Sequence, residues 1–175
     1  MARRIPQSVG VVTTLANGLR VVTYATPGAE TAALGVYADT GSRFEAASFN
    51  GIAHLFEHMV FKGTSTRSAR AIAEQIEDVG GQLNAYTARD MTAFHARVLG
   101  DDVPLGLELI ADLIRAPRFD SDDLAREKDV VLSELGEARD TPDDIVFDHL
   151  QEAAYPDRPL GRSILGSEES VAAIE

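Results

Sequence analysis

The stretch Asn50-Gly51-Ile52-Ala53-His54-Leu55-Phe56-Glu57-His58-Met59-Val60-Phe61 decides how the chain is read. His54 and His58 are four residues apart, so on a helix they lie one above the other on the same face. Asn50 stands where an N-cap belongs, and Gly63 stands where such a helix stops. Two imidazoles stacked in this way can share one metal ion, and Glu57 points towards that ion from the neighbouring position. The order His-x-x-Glu-His is the inverted form of the commoner zinc-peptidase signature. Its mechanics are two neutral histidines holding Zn²⁺ and a carboxylate acting on water.

A catalytic zinc takes three protein ligands and leaves the fourth position to water. Glu127, Glu134 and Glu137 on a long predicted helix, Asp120 to Arg139, are the candidates for the third. Glu127 and Glu134 are seven apart and share a face. Spacing alone leaves all three open.

Outward from the histidine helix, Val9 to Leu15 and Leu19 to Ala25 flank Ala16-Asn17-Gly18 and read as a β-hairpin. Thr31 to Thr40, largely apolar, reads as a central strand, followed by a loop, Gly41 to Glu45. A second helix is expected over Ser68 to Val79, with Ile72, Gln75, Ile76 and Val79 at helical spacing and Gly80-Gly81 at its end. Gln82 to Leu99 alternates as two strands around a turn near Ala88-Arg89-Asp90. Val103 to Arg115 carries an apolar helical stripe of Leu105, Leu109, Ile110 and Leu113. Asp120, Asp122 and Asp123 crowd the start of the long helix, where the helix dipole favours negative charge. Thr141 with Pro142 opens a helix to about Ala154, Tyr155 to Gly161 is a loop, and Ser167 begins a helix that runs to the chain end at Glu175. Hairpin strands and helix pairs in this order predict an α+β fold with a mainly antiparallel sheet. There is no low-complexity tract and no internal repeat.

Composition narrows the functional classes. Of the residues, 45% are hydrophobic, enough for one domain with a sizeable core. Sixteen basic against 28 acidic side chains give a formal charge of −12. That argues against a nucleic-acid partner, which needs basic patches, and suits a cationic peptide. With no cysteine, a metal must be held by His and carboxylate. Met1-Ala2-Arg3-Arg4-Ile5-Pro6 is basic but precedes no apolar run of signal-peptide length, and no stretch approaches the ~20 apolar residues of a membrane span. The chain is expected to be soluble, not exported and without a membrane partner: cytoplasmic in a bacterium, or in the mitochondrial matrix of a eukaryote.

Several stretches resemble the pitrilysin-type zinc metallopeptidases, and within them the processing-peptidase branch. They are Asn50 to Thr64, Gly80 to Thr87, Glu127 to Glu134, Val146 to Leu150 and Pro159 to Gly166. The resemblance implies one Zn²⁺ per chain, bound by His54, His58 and Glu134. Glu134 ends the matching segment Val130-Val131-Leu132-Ser133-Glu134, 76 residues beyond His58. It implies that Glu127 supports the site without binding metal. It implies that Glu57 activates water, as general base and then general acid. Asn84, Ala85 and Tyr86 match the edge strand on which substrate pairs as an added strand. His95 falls where the family generally has an aromatic residue, and His149 is expected to pack between helices; neither is expected to bind metal. The implied activity is endopeptidase cleavage of short, extended or presequence-like peptides. The alternatives are a non-catalytic scaffold subunit of the same fold, or an inactive fragment that only binds zinc.

Members of that family are clamshells of two related halves, each longer than this chain. Residues 1–175 are therefore expected to be a single N-terminal metallopeptidase domain, incomplete at its C-terminal end. A partner subunit, a second copy or a missing C-terminal half would complete it.

Overall fold

The computed structural model describes residues 10–175. Met1 to Pro6 and Val9 lie outside the described residues. The main sheet has three antiparallel strands: β3 (Thr31–Ala38), β4 (Gln82–Thr87) and β5 (Thr92–Leu99), in the order β3-β5-β4. β1 (Val11–Thr14) and β2 (Arg20–Thr23) form a separate hairpin around Gly18, at φ 87°. Its strands are shorter than the apolar runs that predict them. The α+β expectation holds.

The period of two in the strands sorts one face of the sheet from the other. Phe94, Ala96 and Val98 of β5, Ala85 and Leu83 of β4, and Leu34 and Val36 of β3 share the inner face. Register places Ala85 opposite Phe94, and Leu83 and Leu34 either side of Ala96. Against this face pack α1 (Ile52–Val60), α2 (Ala69–Asp78) and α3 (Val103–Arg115) through Val60, Ile72, Ile110 and Leu113. Each fully buried side chain of this size stabilises by about 1.5–3 kcal/mol. The outer face carries Asn84, Tyr86, His95 and Arg97, with the Tyr86 and His95 rings 6.0 Å apart.

Strand order departs from expectation. The central strand is β5, whereas β3 is an edge whose residues alternate between exposed and half-buried. Its apolar content reflects α3 on one side only, not strands on both.

The remaining helices, α4 (Ser121–Asp140), α5 (Pro142–Ala154) and α6 (Glu168–Ala172), cover the other flank of α1. Leu55 and Met59 of α1 are buried against Val131 and Leu135 of α4 and Val171 of α6. The long helix α4 is capped by Asp120, whose carboxylate accepts from the backbone N–H groups of Asp122 and Asp123, worth ~1 kcal/mol. α6 closes at Ala172 rather than running to Glu175. Thr141 takes the N-cap position of α5 before Pro142 as expected, but its side chain makes no capping hydrogen bond. Its hydroxyl turns back and donates to the Glu137 carbonyl at 2.8 Å. His149 does not pack between helices: its side chain is 68% exposed on α5.

The start of α1 is also built differently from expectation. Gly51, not Asn50, takes the N-cap position, at φ 96°. A Cβ there would stand 2.6 Å from the Leu165 carbonyl oxygen, so the position requires glycine twice over. The Glu45 carboxylate supplies the cap, accepting from Gly51 N and Ala53 N at 2.8 Å each. Asn50 is buried and donates through Nδ2 to Glu45 and to the Ser163 carbonyl. At the other end α1 stops at Val60, and Gly63, two residues past the C-cap Phe61, bridges to Ser68.

Candidate active site

α1 carries three kinds of residue on three sides. Phe56 and Val60 face the sheet, Leu55 and Met59 face α4 and α6, and His54 and His58 are left facing the gap beside α4. Their rings are 4.7 Å apart, edge to face. Glu134 reaches into the gap from α4, with Oε2 at 3.8 Å from His54 Nε2 and 3.6 Å from His58 Nε2. Two burial faces on one nine-residue helix leave little rotational freedom, so hydrophobic packing aims both imidazoles.

One donor atom from each of His54, His58 and Glu134 lies within 4.8 Å of the others, the only such group among the described residues. The residues fit a small divalent cation. Ligands ~2.0–2.1 Å from a tetrahedral zinc stand about 3.3–3.4 Å from one another, close to the spacings to Glu134. Two neutral nitrogens and one carboxylate oxygen are also the donor types zinc takes. Burial holds His54 below the ordinary imidazole value, His58 beside it adds to this, and Glu134 offsets it only in part. The neutral, lone-pair-bearing form is the one a metal needs.

That depression carries a stability consequence. The unfolded chain binds the His54 proton near its ordinary 6.5, whereas the folded chain binds it only at lower pH. The His54 contribution is therefore complete above about pH 7 and is lost as pH falls from 6.5 through the folded value. Denaturant midpoints of metal-free protein at about pH 8 and pH 5.5 are expected to differ less in His54→Gln than in the parent.

Glu127 is oriented differently from Glu134. It is buried, and its Oε2 lies 3.1 Å from His58 Nδ1 while its Oε1 meets Lys62 Nζ at 2.7 Å. Glu137, the remaining candidate, is exposed and takes no part. Glu57 reaches the end of β4, where Thr87 Oγ1 donates to its Oε2 at 2.7 Å. Thr87 and Lys62 lie within the sequence segments that mark the site, but their contacts depend on β4 and α4 folding back onto α1. His54 Nδ1 is buried without a partner among the described residues.

A cavity of about 360 Å³ opens beside these groups, walled by His54, Glu57, Tyr86, Thr87, Asp144 and Phe147, among others. Asp148 also lines it and is held by Arg89 at 3.0 Å. A larger recess of about 610 Å³ between α2 and α3 shares none of these residues, and its Arg67 is already engaged by Gln75, Glu108 and Asp112. Of the sequence-marked strand residues, Tyr86 reaches the cavity, Asn84 is exposed and Ala85 is turned into the core. β4 pairs only with β5 among the described residues, leaving its other edge free.

Comparison with known proteins gives this geometry a context. The chain is 48% identical over 93% of its length to a probable mitochondrial-processing peptidase subunit beta of Arabidopsis thaliana, covering 31% of that protein. It is 45% identical over 91% of its length to YmxG of Bacillus subtilis, named an uncharacterized zinc protease, covering 39%. The chain thus spans about a third of the length of the curated relatives it matches. A crystal structure of a protease from Helicobacter pylori superposes with a TM-score of 0.89 at 26% identity, over 97% of this chain and 41% of that one. An inactive peptidase M16 domain from Pseudomonas fluorescens shares the fold, with a TM-score of 0.86 at 23% identity over 95% of this chain and 41% of its own. No helix among the described residues is long and apolar enough to cross a membrane. Residues 20–168 match the family model described as Insulinase (Peptidase family M16), and the chain belongs to that family.

Proposed function

We propose that the chain carries the catalytic centre of a zinc-dependent endopeptidase that acts on extended peptides. The observation that carries the reading is the meeting of His54, His58 and Glu134, from two helices, at one point with Glu57 beside it. His54, His58 and Glu134 would hold one zinc per chain, and Glu127 would fix the His58 ring. Zinc, when bound, supplies Lewis acidity towards water and the scissile carbonyl. Glu57 takes a proton from the attacking water and returns it to the leaving amine. The Thr87 hydroxyl holds one Glu57 oxygen, leaving the other to meet that proton.

The free edge of β4 at Asn84, Ala85 and Tyr86 would receive the substrate backbone as an added strand, which selects extended chains over folded ones. Asp144, exposed on the cavity wall, suits a basic side chain on that peptide. A non-catalytic scaffold has less support, because such a protein has no need for the complete set of His54, Glu57, His58 and Glu134. These residues would form the first part of one half of a clamshell, closed by a later part of the chain, a second copy or a partner subunit.

The test is cleavage of a basic, extended fluorogenic peptide by the chain extended to the length of its relatives. Chelation is expected to abolish cleavage and added zinc to restore it. Cleavage indifferent to chelation would overturn the reading.

A further inference from the structure

Glu127 raises a question that the donor set alone leaves open. Its side chain is 9% exposed, against 38% for Glu134, and it approaches His58 more closely than Glu134 does, 3.1 Å against 3.6 Å. Proximity and burial favour Glu127 as the metal's carboxylate, yet it lies on the Nδ1 side of the His58 ring. Lys62 accounts for this. It stands four residues beyond His58 and just past the C-cap Phe61, where the chain leaves α1. Its backbone N–H donates to the Met59 carbonyl, which fixes the stem. Its Nζ donates to Glu127 Oε1 at 2.7 Å, and it is the only lysine or arginine side chain paired with Glu127 among the described residues. With one oxygen on Lys62 and the other on His58 Nδ1, the carboxylate has no rotational freedom left.

We propose that Lys62 is a positioning residue of the metal centre, acting through Glu127 on His58. By engaging Oε1 it holds Glu127 as acceptor for the His58 Nδ1–H, which commits that imidazole to presenting the Nε2 lone pair to the gap shared with Glu134. The same contact keeps Glu127 out of the donor set. Without it, Oε1 is left in a largely buried place with no partner, and the carboxylate is free to swing away from Nδ1. The ring then loses both its tautomer and its aim. Supports of this kind typically change metal affinity ~10–100-fold.

The inference rests on the proposed metal site, so the experiment reads zinc itself. Zinc affinity of the 175-residue chain would be measured by competition with a chromophoric chelator for the parent, Lys62→Met, Lys62→Arg, Glu127→Gln and the Lys62→Met/Glu127→Gln double variant. Nitrogen-15 shifts of the His58 ring would be recorded on the metal-free parent and Lys62→Met. Lys62→Met is expected to weaken zinc binding about tenfold and to mix the His58 tautomers. Lys62→Arg should retain most of the affinity. The double variant should bind no more weakly than Glu127→Gln alone, because Lys62 has no route to the metal except through Glu127. Parental affinity with an unchanged tautomer in Lys62→Met, or full additivity in the double variant, would overturn the role of Lys62 and leave the metal site standing. A parent chain that binds no zinc would overturn both.

Discussion

Glu57→Gln is expected to keep zinc in place and to lower peptide hydrolysis by ~10²–10⁴-fold, the usual worth of a general acid–base group. Glutamine preserves the size and shape of the side chain and can still accept from Thr87, whose hydroxyl lies 2.7 Å from Glu57 Oε2. What it loses is the capacity to take a proton. None of the three donor atoms grouped for the metal belongs to Glu57, so metal content and turnover should separate. The measurement is kcat on a fluorogenic peptide, in the chain extended to its relatives' length, at equal zinc occupancy. Near-parental turnover would remove Glu57 from the role of base.

The second large effect concerns closure. The 175-residue chain on its own is expected to bind zinc and turn over peptide far more slowly than the chain extended to its relatives' length. Positioning a peptide in reactive geometry is worth as much as ~7–11 kcal/mol of the barrier. On the proposed reading a substrate strand would find only the edge of β4 and one wall of an open cavity. Phe147 of α5 lines that cavity, and Val146 and Leu150 of the same helix are exposed with it, apolar surface that a closing half would cover. The same surface should favour self-association of the short chain. Equal turnover by the short and the extended chain on one peptide would show that closure is dispensable.

Both expectations depend on features that were unequally legible in the amino-acid order. The histidine pair was legible because both residues sit on one helix, where a four-residue step fixes which side they share. The third ligand was not legible from spacing. Glu127 and Glu134 lie on one side of α4, and only the rotation of the His58 ring separates them, Nδ1 towards one and Nε2 towards the other. The resemblance chose Glu134, and the geometry brings Glu134 to both Nε2 atoms.

Long-range contacts explain the misreadings. Asn50 looked like a cap because its residue type and place are right. Gly51 took the position because Leu165 and Gly166, more than a hundred residues later, press on the backbone there. The centre of the sheet was misassigned to β3 because an apolar strand covered by a helix on one face reads much like one between two others. His149 was expected to pack between helices, but α5 leaves it exposed together with its apolar neighbours Val146, Phe147 and Leu150.

The proposed chemistry depends on His54, His58 and Glu134 holding one metal ion. Elemental analysis of the purified parent and of His58→Ala after equilibration with zinc measures this directly. Close to one zinc per parent chain and almost none in His58→Ala are expected. Full zinc content in His58→Ala would contradict that assignment.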